Sequence, residues 1–296
     1  KLTNIELSVA EARNLPEFEP LFDVIIINSV SQYFPDMTYL TEVLDALRSR
    51  LAPDEVIYMG DVRNYCLLET FHASVQSARA PQLTNNELLP RIAKAVQDEP
   101  ELNVNPCFFH NYAKKTGLTP RIEPRRGRHA TEMNKYRYDV TLSRRPECSD
   151  DDLPALNWQD WGDGNWTFEK LADHLRSGTN AAFSFTCVPH GLLIEDLRRR
   201  DELYAMDAQS TPSNGVIPEE LRELAAECGY TVSFNCSDHP HGYYDMVLST
   251  AGSPHPANLF STLARRSFLS EPSAYGNNPG ARLKKVHLAN LIKEAL

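Results

Sequence analysis

Between Arg125 and Lys135 the chain gathers Arg125, Arg126, Arg128, His129, Glu132 and Asn134 into one short stretch. A carboxylate and an imidazole held close together can manage a proton or position an amine. The same residues also make a solvated hairpin tip, and composition alone leaves both readings open. His72, on the helix that follows Gly60-Asp61-Val62-Arg63, either faces the same crevice or serves the core. Asp238-His239-Pro240-His241 is the densest metal-type cluster, but a proline between two loop histidines favours side chains that meet only water, so no metal is expected. Phosphate-binding glycine patterns (GxGxxG, GxxxxGK[ST]) and the GxSxG elbow are absent. The six cysteines never form CxxC and read as scattered buried thiols.

Side chains of this kind work only when a scaffold aims them, and the scaffold signal is strongest at Phe22–Pro35, FDVIIINSVSQYFP. An acid, then Val24 to Ile27, then Asn28-Ser29, predicts a fully buried parallel strand opening into a polar loop. Ligands of open α/β sheets bind beyond the carboxyl ends of such strands, which puts Asn28 to Tyr33 at a site, with Tyr33-Phe34 as a wall. Lys1 to Val9 alternates as a strand would, with Ala10-Glu11-Ala12 as the loop after it. Leu40, Val43, Leu44, Leu47 and Leu51 mark a helix, Val56 to Met59 a second buried strand, and Leu67, Leu68, Phe71 and Val75 a second helix. This alternation implies parallel strands joined by right-handed crossovers. Helices over 87–97 and 107–115, the latter stopped by Gly117, precede strands over 118–123 and 136–143 that flank the basic loop.

Beyond Ser149-Asp150-Asp151-Asp152, which reads as a boundary, the pattern returns. KLADHLRS, AAFSFTCV and HGLLIEDL echo VLDALRS, VIYMGDV and NYCLLETF. LAAECGYTVSF and YYDMVLS echo YAKKTGLTPRI and YRYDVTLS. Residues 155–250 thus read as a degenerate copy of 38–143, with convergent α/β patterning as the alternative. The last stretch, 283–296, has the spacing of a basic amphipathic helix. A net charge of −10 argues against a nucleic-acid partner. No run of eighteen apolar residues and no signal-peptide layout appear, so a cytoplasmic protein without a membrane partner is expected.

Taken together, FDVIIINSVSQYFP, VIYMGDVRNYCLLETFHASVQSARAP and RRGRH…EMNKYRYDVTLS resemble the methyltransferase domains embedded in nonribosomal peptide synthetases. The resemblance implies an α/β, class I (Rossmann-like) methyltransferase sheet over 1–150, N-terminally incomplete, and an accessory α/β subdomain over 151–253. A linker and helix over 254–296 would lead into the C-terminal part of an adenylation domain. The implied activity is N-methylation of an aminoacyl or peptidyl thioester. The implied cofactor is S-adenosyl-L-methionine, and the partners are a phosphopantetheinylated peptidyl carrier domain and the adenylation domain of the same synthetase. Ala10, Glu11, Ala12, Asn28, Ser29, Val30 and Tyr33 match the cofactor side. Glu132, His129 and His72 are the candidates for the amine proton, and Tyr33 and Asn134 for orienting the amine. No glycine-rich cofactor loop lies in the chain, so alone it should bind cofactor poorly. An O- or C-methyltransferase of a polyketide-type assembly line, or a non-catalytic scaffold, would carry the same fold.

Overall fold

The computed structural model describes residues 5–16, 21–144, 156–178, 182–206, 211–250, 260 and 271–281. Strand β1 (Phe22–Asn28) owes its form to a β-branched run that packs well on a pleated surface. Helix α1 (Met37–Arg48) is started by Asp36, whose carboxylate accepts the Tyr39 N–H at 2.9 Å, and buries Met37, Leu40, Val43, Leu44 and Leu47. Strand β2 (Leu51–Asn64) runs parallel to β1, and α2 (Leu68–Arg79) follows after a tight turn capped by Asn64. Helix α3 (Asn85–Gln97) opens on a Thr84–Glu87 capping box. The short strand β3 (Asn103–Val104) pairs with the end of β2, and α4 (Cys107–Thr116) ends where Gly117 takes φ 70°, a backbone conformation costly for any side chain. Strands β4 (Thr119–Pro124) and β5 (Arg137–Ser143) form an antiparallel hairpin whose connection contains the short helix α5 (Glu132–Tyr136). The sheet order is β1-β2-β5-β4, with β3 beside β2.

The second half is built from β6 (Trp158–Asp160), α6 (Phe168–Arg176), β7 (Phe183–Val188), α7 (Ile194–Leu203), α8 (Pro218–Glu227), β8 (Tyr230–Cys236) and β9 (Tyr244–Thr250). Its sheet order, β6-β7-β9-β8, repeats the β1-β2-β5-β4 path of the first, one parallel pair and then two antiparallel pairs, with no strand corresponding to β3 among the described residues. The register matches residue by residue, since Asn28 faces Gly60 as Asp160 faces Thr186, and Glu123 faces Asp139 as Asn235 faces Asp245. Even the irregularity recurs. Strand β2 bulges between Met59 and Val62 and β7 between Phe185 and Val188, and at the bulge Asp61 (φ 68°) and Cys187 (φ 58°) share a left-handed conformation.

The halves pack through like elements, α2 on α7 and β4 beside β8, as an approximate internal two-fold requires. Leu67, Tyr136, Leu193 and Leu197 form one cluster of that seam. Ala73, Ala80, Leu88, Ile92 and Leu203 form another. Each half also sends a helix side chain to the other half's sheet: His110 of α4 meets Asn235 Oδ1 at 2.7 Å, and Arg222 of α8 donates to the Pro124 carbonyl at 3.4 Å. Near the end of the described chain, Tyr275 is buried against Phe108, and its carbonyl accepts the Asn105 N–H.

Several sequence expectations need correction. Strand β1 is an edge strand rather than a buried one. Among the described residues β1 has a ladder partner on one side only; Ile25 and Ile27 face the core, whereas Phe22, Val24 and Ile26 point to the opposite face and are exposed. Residues 5–9 form no strand, having no ladder to join, and Leu7 and Val9 are exposed. The parallel pairing expected of the first two strands is present, and β5 returns antiparallel between β2 and β4, so the α/β sheet is mixed, as a Rossmann-like fold allows. Cys236 alone of the described cysteines is buried, and Cys66, Cys107, Cys187 and Cys228 are half-buried. The acidic boundary at 149–152, the residues 1–4 and the helix expected over 283–296 lie outside the described residues. Among the described residues no helix is long and apolar enough to cross a membrane.

Candidate active site at the carboxyl ends of the first two strands

Where β1 ends, Ser29 takes φ 55° and its N–H reaches back to the Gly60 carbonyl at 3.2 Å. The Asn28 side chain uses the space left by Gly60, where a Cβ would stand 2.1 Å from Asn28 Oδ1 and 2.9 Å from the Tyr58 ring. Gly60→Ala is therefore expected to expel the Asn28 side chain and to weaken any ligand held by Asn28 and Ser29 by several-fold, with little loss of stability. Equilibrium binding set beside a thermal melt separates the two effects.

One residue further along β2 stands Asp61, 2% exposed. Its Oδ2 accepts from Ser29 Oγ at 2.9 Å and from Arg137 Nη1 at 2.8 Å. Its backbone N–H donates to Asp139 Oδ1 at 2.9 Å, the same atom that accepts from Arg125 Nη1 at 2.9 Å. Asp61 Oδ1 has no hydrogen bond, and Arg125 Nη1 lies 3.9 Å away. Arg137 turns its other nitrogen, Nη2, to Glu132 Oε1 at 2.7 Å. Burial works against the Arg137 charge, but Glu132 and Asp61 outweigh it, and the guanidinium is held above its usual range. Two carboxylates and an arginine thus form a line from a buried oxygen to solvent. The fold sets each position: Ser29 by the end of β1, Asp61 by the bulge in β2, Arg137 and Asp139 by β5, and Glu132 by α5.

The candidates read from the sequence are distributed as follows. Ser29 belongs to the constellation, and Asn28 adjoins it, donating to Ser29 Oγ at 3.3 Å. Glu132 reaches it only through Arg137 and is half-exposed. Val30 and Tyr33 are exposed on the turn that follows, Tyr33 to 71%. His129 is exposed, and Asn134 ties the loop together by donating from Nδ2 to the His129 carbonyl at 2.9 Å. His72 is engaged elsewhere: its Nε2 meets Glu99 Oε2 at 2.8 Å in a buried group with Arg63 and Glu101. Burial there pushes Glu99 up, but His72 and Arg63 bring it below its usual range. The loop Ala10-Glu11-Ala12 lies along α1, with Glu11 bonded to Arg13 and Asn14, and Arg13 extended to Glu42 and over Tyr39. His239 stacks on Tyr243 at 4.6 Å, and among the described residues no three His, Cys, Asp or Glu side chains are placed to hold a metal ion.

The basic loop, left open by composition, divides its labour. Arg126 and Arg128 dock on Glu219 and Glu223 of α8, while Arg125 turns inward to Asp139. Sequence reasoning missed Asp61, Asp139 and Arg137. The signal that could have found Asp139 is the Tyr-Asp pair common to YRYDVTLS and YYDMVLS, since Asp139 and Asp245 each accept the N–H of the bulge residue, Asp61 and Cys187 respectively. Nothing local distinguished Asp61 from any acid at a strand end.

No protein-family model matches the chain. It is 33% identical over 267 residues to a chondramide synthase of Chondromyces crocatus, covering 84% of the chain and 7% of that protein. It is 30% identical over 258 residues to the cyclosporin synthetase of Tolypocladium inflatum, covering 76% and 2%. It is 27% identical over 315 residues to the beauvericin nonribosomal cyclodepsipeptide synthetase of Beauveria bassiana, covering 93% and 10%. The chain spans a tenth or less of these relatives, as an embedded domain would. By this similarity it is a homologue of a domain embedded in nonribosomal peptide synthetases.

Proposed function

We propose that the chain is part of a methyltransferase domain that N-methylates the α-amino group of an aminoacyl or peptidyl thioester carried on a synthetase's peptidyl carrier domain. The observation that supports this most is the Ser29–Asp61–Arg137 constellation at the carboxyl ends of two parallel strands, where an open α/β sheet binds ligands. An α-amine is largely protonated near neutrality, its reference pKa being about 8, so such an enzyme must hold the nitrogen in line and receive a proton from it. A buried carboxylate with a spare oxygen suits that task.

S-adenosyl-L-methionine, when bound, supplies an electrophilic methyl group. Asn28, Ser29 and Val30 would hold it at the end of β1, with Tyr33 as a wall and Ala10-Glu11-Ala12 toward its adenine. These residues fit one wall of such a site: Asn28 offers amide hydrogen-bonding groups, and Val30 and Tyr33 offer uncovered apolar surface. The exposed apolar face of β1, with Phe22, Val24 and Ile26, suits a further layer packed over it, as a neighbouring part of a larger domain would supply. The adenylation and carrier domains of the same synthetase are the expected neighbours.

Calorimetric titration of S-adenosyl-L-methionine into the chain alone and into a synthetase module containing it tests the reading. Saturable binding in the module and little in the isolated chain is expected, and no binding in either would overturn it.

A further inference from the structure

We propose that Asp61, rather than Glu132, is the carboxylate that receives the substrate amine, through Oδ1. The inference rests on the reading above and adds which residue touches the nitrogen.

The internal repeat separates what the fold needs from what a ligand needs. Asp61 and Cys187 occupy corresponding bulges, share a left-handed backbone and donate the same N–H to corresponding acids, Asp139 and Asp245. The turn therefore forms equally well around a thiol, and the carboxylate of Asp61 is not demanded by it. Nor do the two donors on Oδ2 account for Oδ1, which is buried without a hydrogen bond. An acceptor left in that state is destabilising unless something fills it. Arg125 covers it at 3.9 Å, too far to hydrogen-bond, and keeps its own bond to Asp139. The nitrogen that covers Oδ1 is the same Arg125 Nη1 that bonds Asp139, so an arriving ammonium takes its place by swinging Arg125 aside, replacing one cation by another. Glu132 is separated from this oxygen by the guanidinium of Arg137, so it positions Arg137 rather than meeting the amine.

The chemistry balances within the site. An N–H bond of the ammonium breaks, its proton forms an O–H bond on Oδ1, and the electron pair remains on nitrogen as the nucleophile. Ammonium and carboxylate become amine and carboxylic acid with no other reagent, and the proton later passes to water.

The test is calorimetric binding of an aminoacyl pantetheine thioester to the full chain at pH 7, beside its α-hydroxyacyl analogue, which lacks the ammonium. The wild type is expected to prefer the amine at least about tenfold, the range of a hydrogen bond to a charged group. Asp61→Cys, which copies the residue at the bulge of β7, is expected to abolish that preference, and Glu132→Gln to keep most of it. Arg125→Ala, which uncovers Oδ1 without touching Asp61, is expected to tighten amine binding several-fold. A wild type without preference, an Asp61→Cys protein that retains it, or an Arg125→Ala protein that binds no tighter would overturn the proposal. Amine preference in a protein that transfers no methyl group would support the amine site while sinking the methyl-transfer reading.

Discussion

Arg137→Met is expected to cost about 3–5 kcal/mol of folding free energy, the usual penalty for removing one partner of a buried ion pair. Asp61 is almost fully enclosed and draws its one close cationic hydrogen bond from Arg137. With methionine there, the carboxylate keeps the neutral Ser29 hydroxyl and a guanidinium 3.9 Å from its other oxygen. Glu132 contributes little to the loss, because it is half-exposed and water replaces its partner. Adding Asp61→Cys should restore most of the stability, since a neutral thiol needs no cation and Cys187 shows the bulge tolerates one. Urea unfolding of the two single variants and the double variant measures the coupling. Additive losses in the double variant would mean that Arg137 stabilises the hairpin by packing and that the pairing with Asp61 matters little.

His190→Asn is expected to remove an acid sensitivity. His190 is buried, its ring lies edge-on to Tyr244, and its Nδ1 accepts the Leu192 N–H at 3.3 Å, so the folded state needs the neutral ring. Burial pushes its pKa down to about 4. The unfolded chain binds the proton near the ordinary value of about 6.5, so between about pH 6.5 and about pH 4 the unfolded state holds more protons than the folded one. Stability is therefore full above about pH 6.5, falls as pH drops through that window, and is lower by about 3 kcal/mol at its foot. Asn64, at the corresponding position in the first half, caps the same kind of turn by accepting the Cys66 N–H at 3.0 Å. Asparagine at 190 should thus keep the cap without the titration. Unfolding free energies at pH 7.5 and pH 4.5 check this. An equal drop in the wild type and in His190→Asn would place the sensitivity elsewhere, His110 being the next buried imidazole pushed low.

Much of this fold was legible because apolar spacing is a local signal. Leu40, Val43, Leu44 and Leu47 needed no partner to announce a helix, and Gly117 announced its end. Burial across elements was less legible. The run Val24 to Ile27 looks alike in a central strand and an edge strand, since its sequence does not say how many neighbours it pairs with. Of the site, Asn28 and Ser29 could be placed because strand ends are where open sheets bind ligands. Asp61, Arg137 and Asp139 could not, because their meeting depends on β5 returning antiparallel beside β2 and on a bulge that turns one backbone N–H toward Asp139. Glu132 was noticed for its company in the loop, yet the structure gives it Arg137 as its partner.

The most direct measurement is methyl transfer by a synthetase module containing this chain, loaded with an aminoacyl group on its carrier domain and supplied with isotopically labelled S-adenosyl-L-methionine. Mass spectrometry of the released acyl group locates the label. The account predicts one labelled methyl on the α-nitrogen, formed faster as pH rises toward the amine's reference pKa of about 8 and strongly reduced in Asp61→Cys. Label on oxygen or carbon, or an unmethylated product from a module that binds the cofactor, would contradict it.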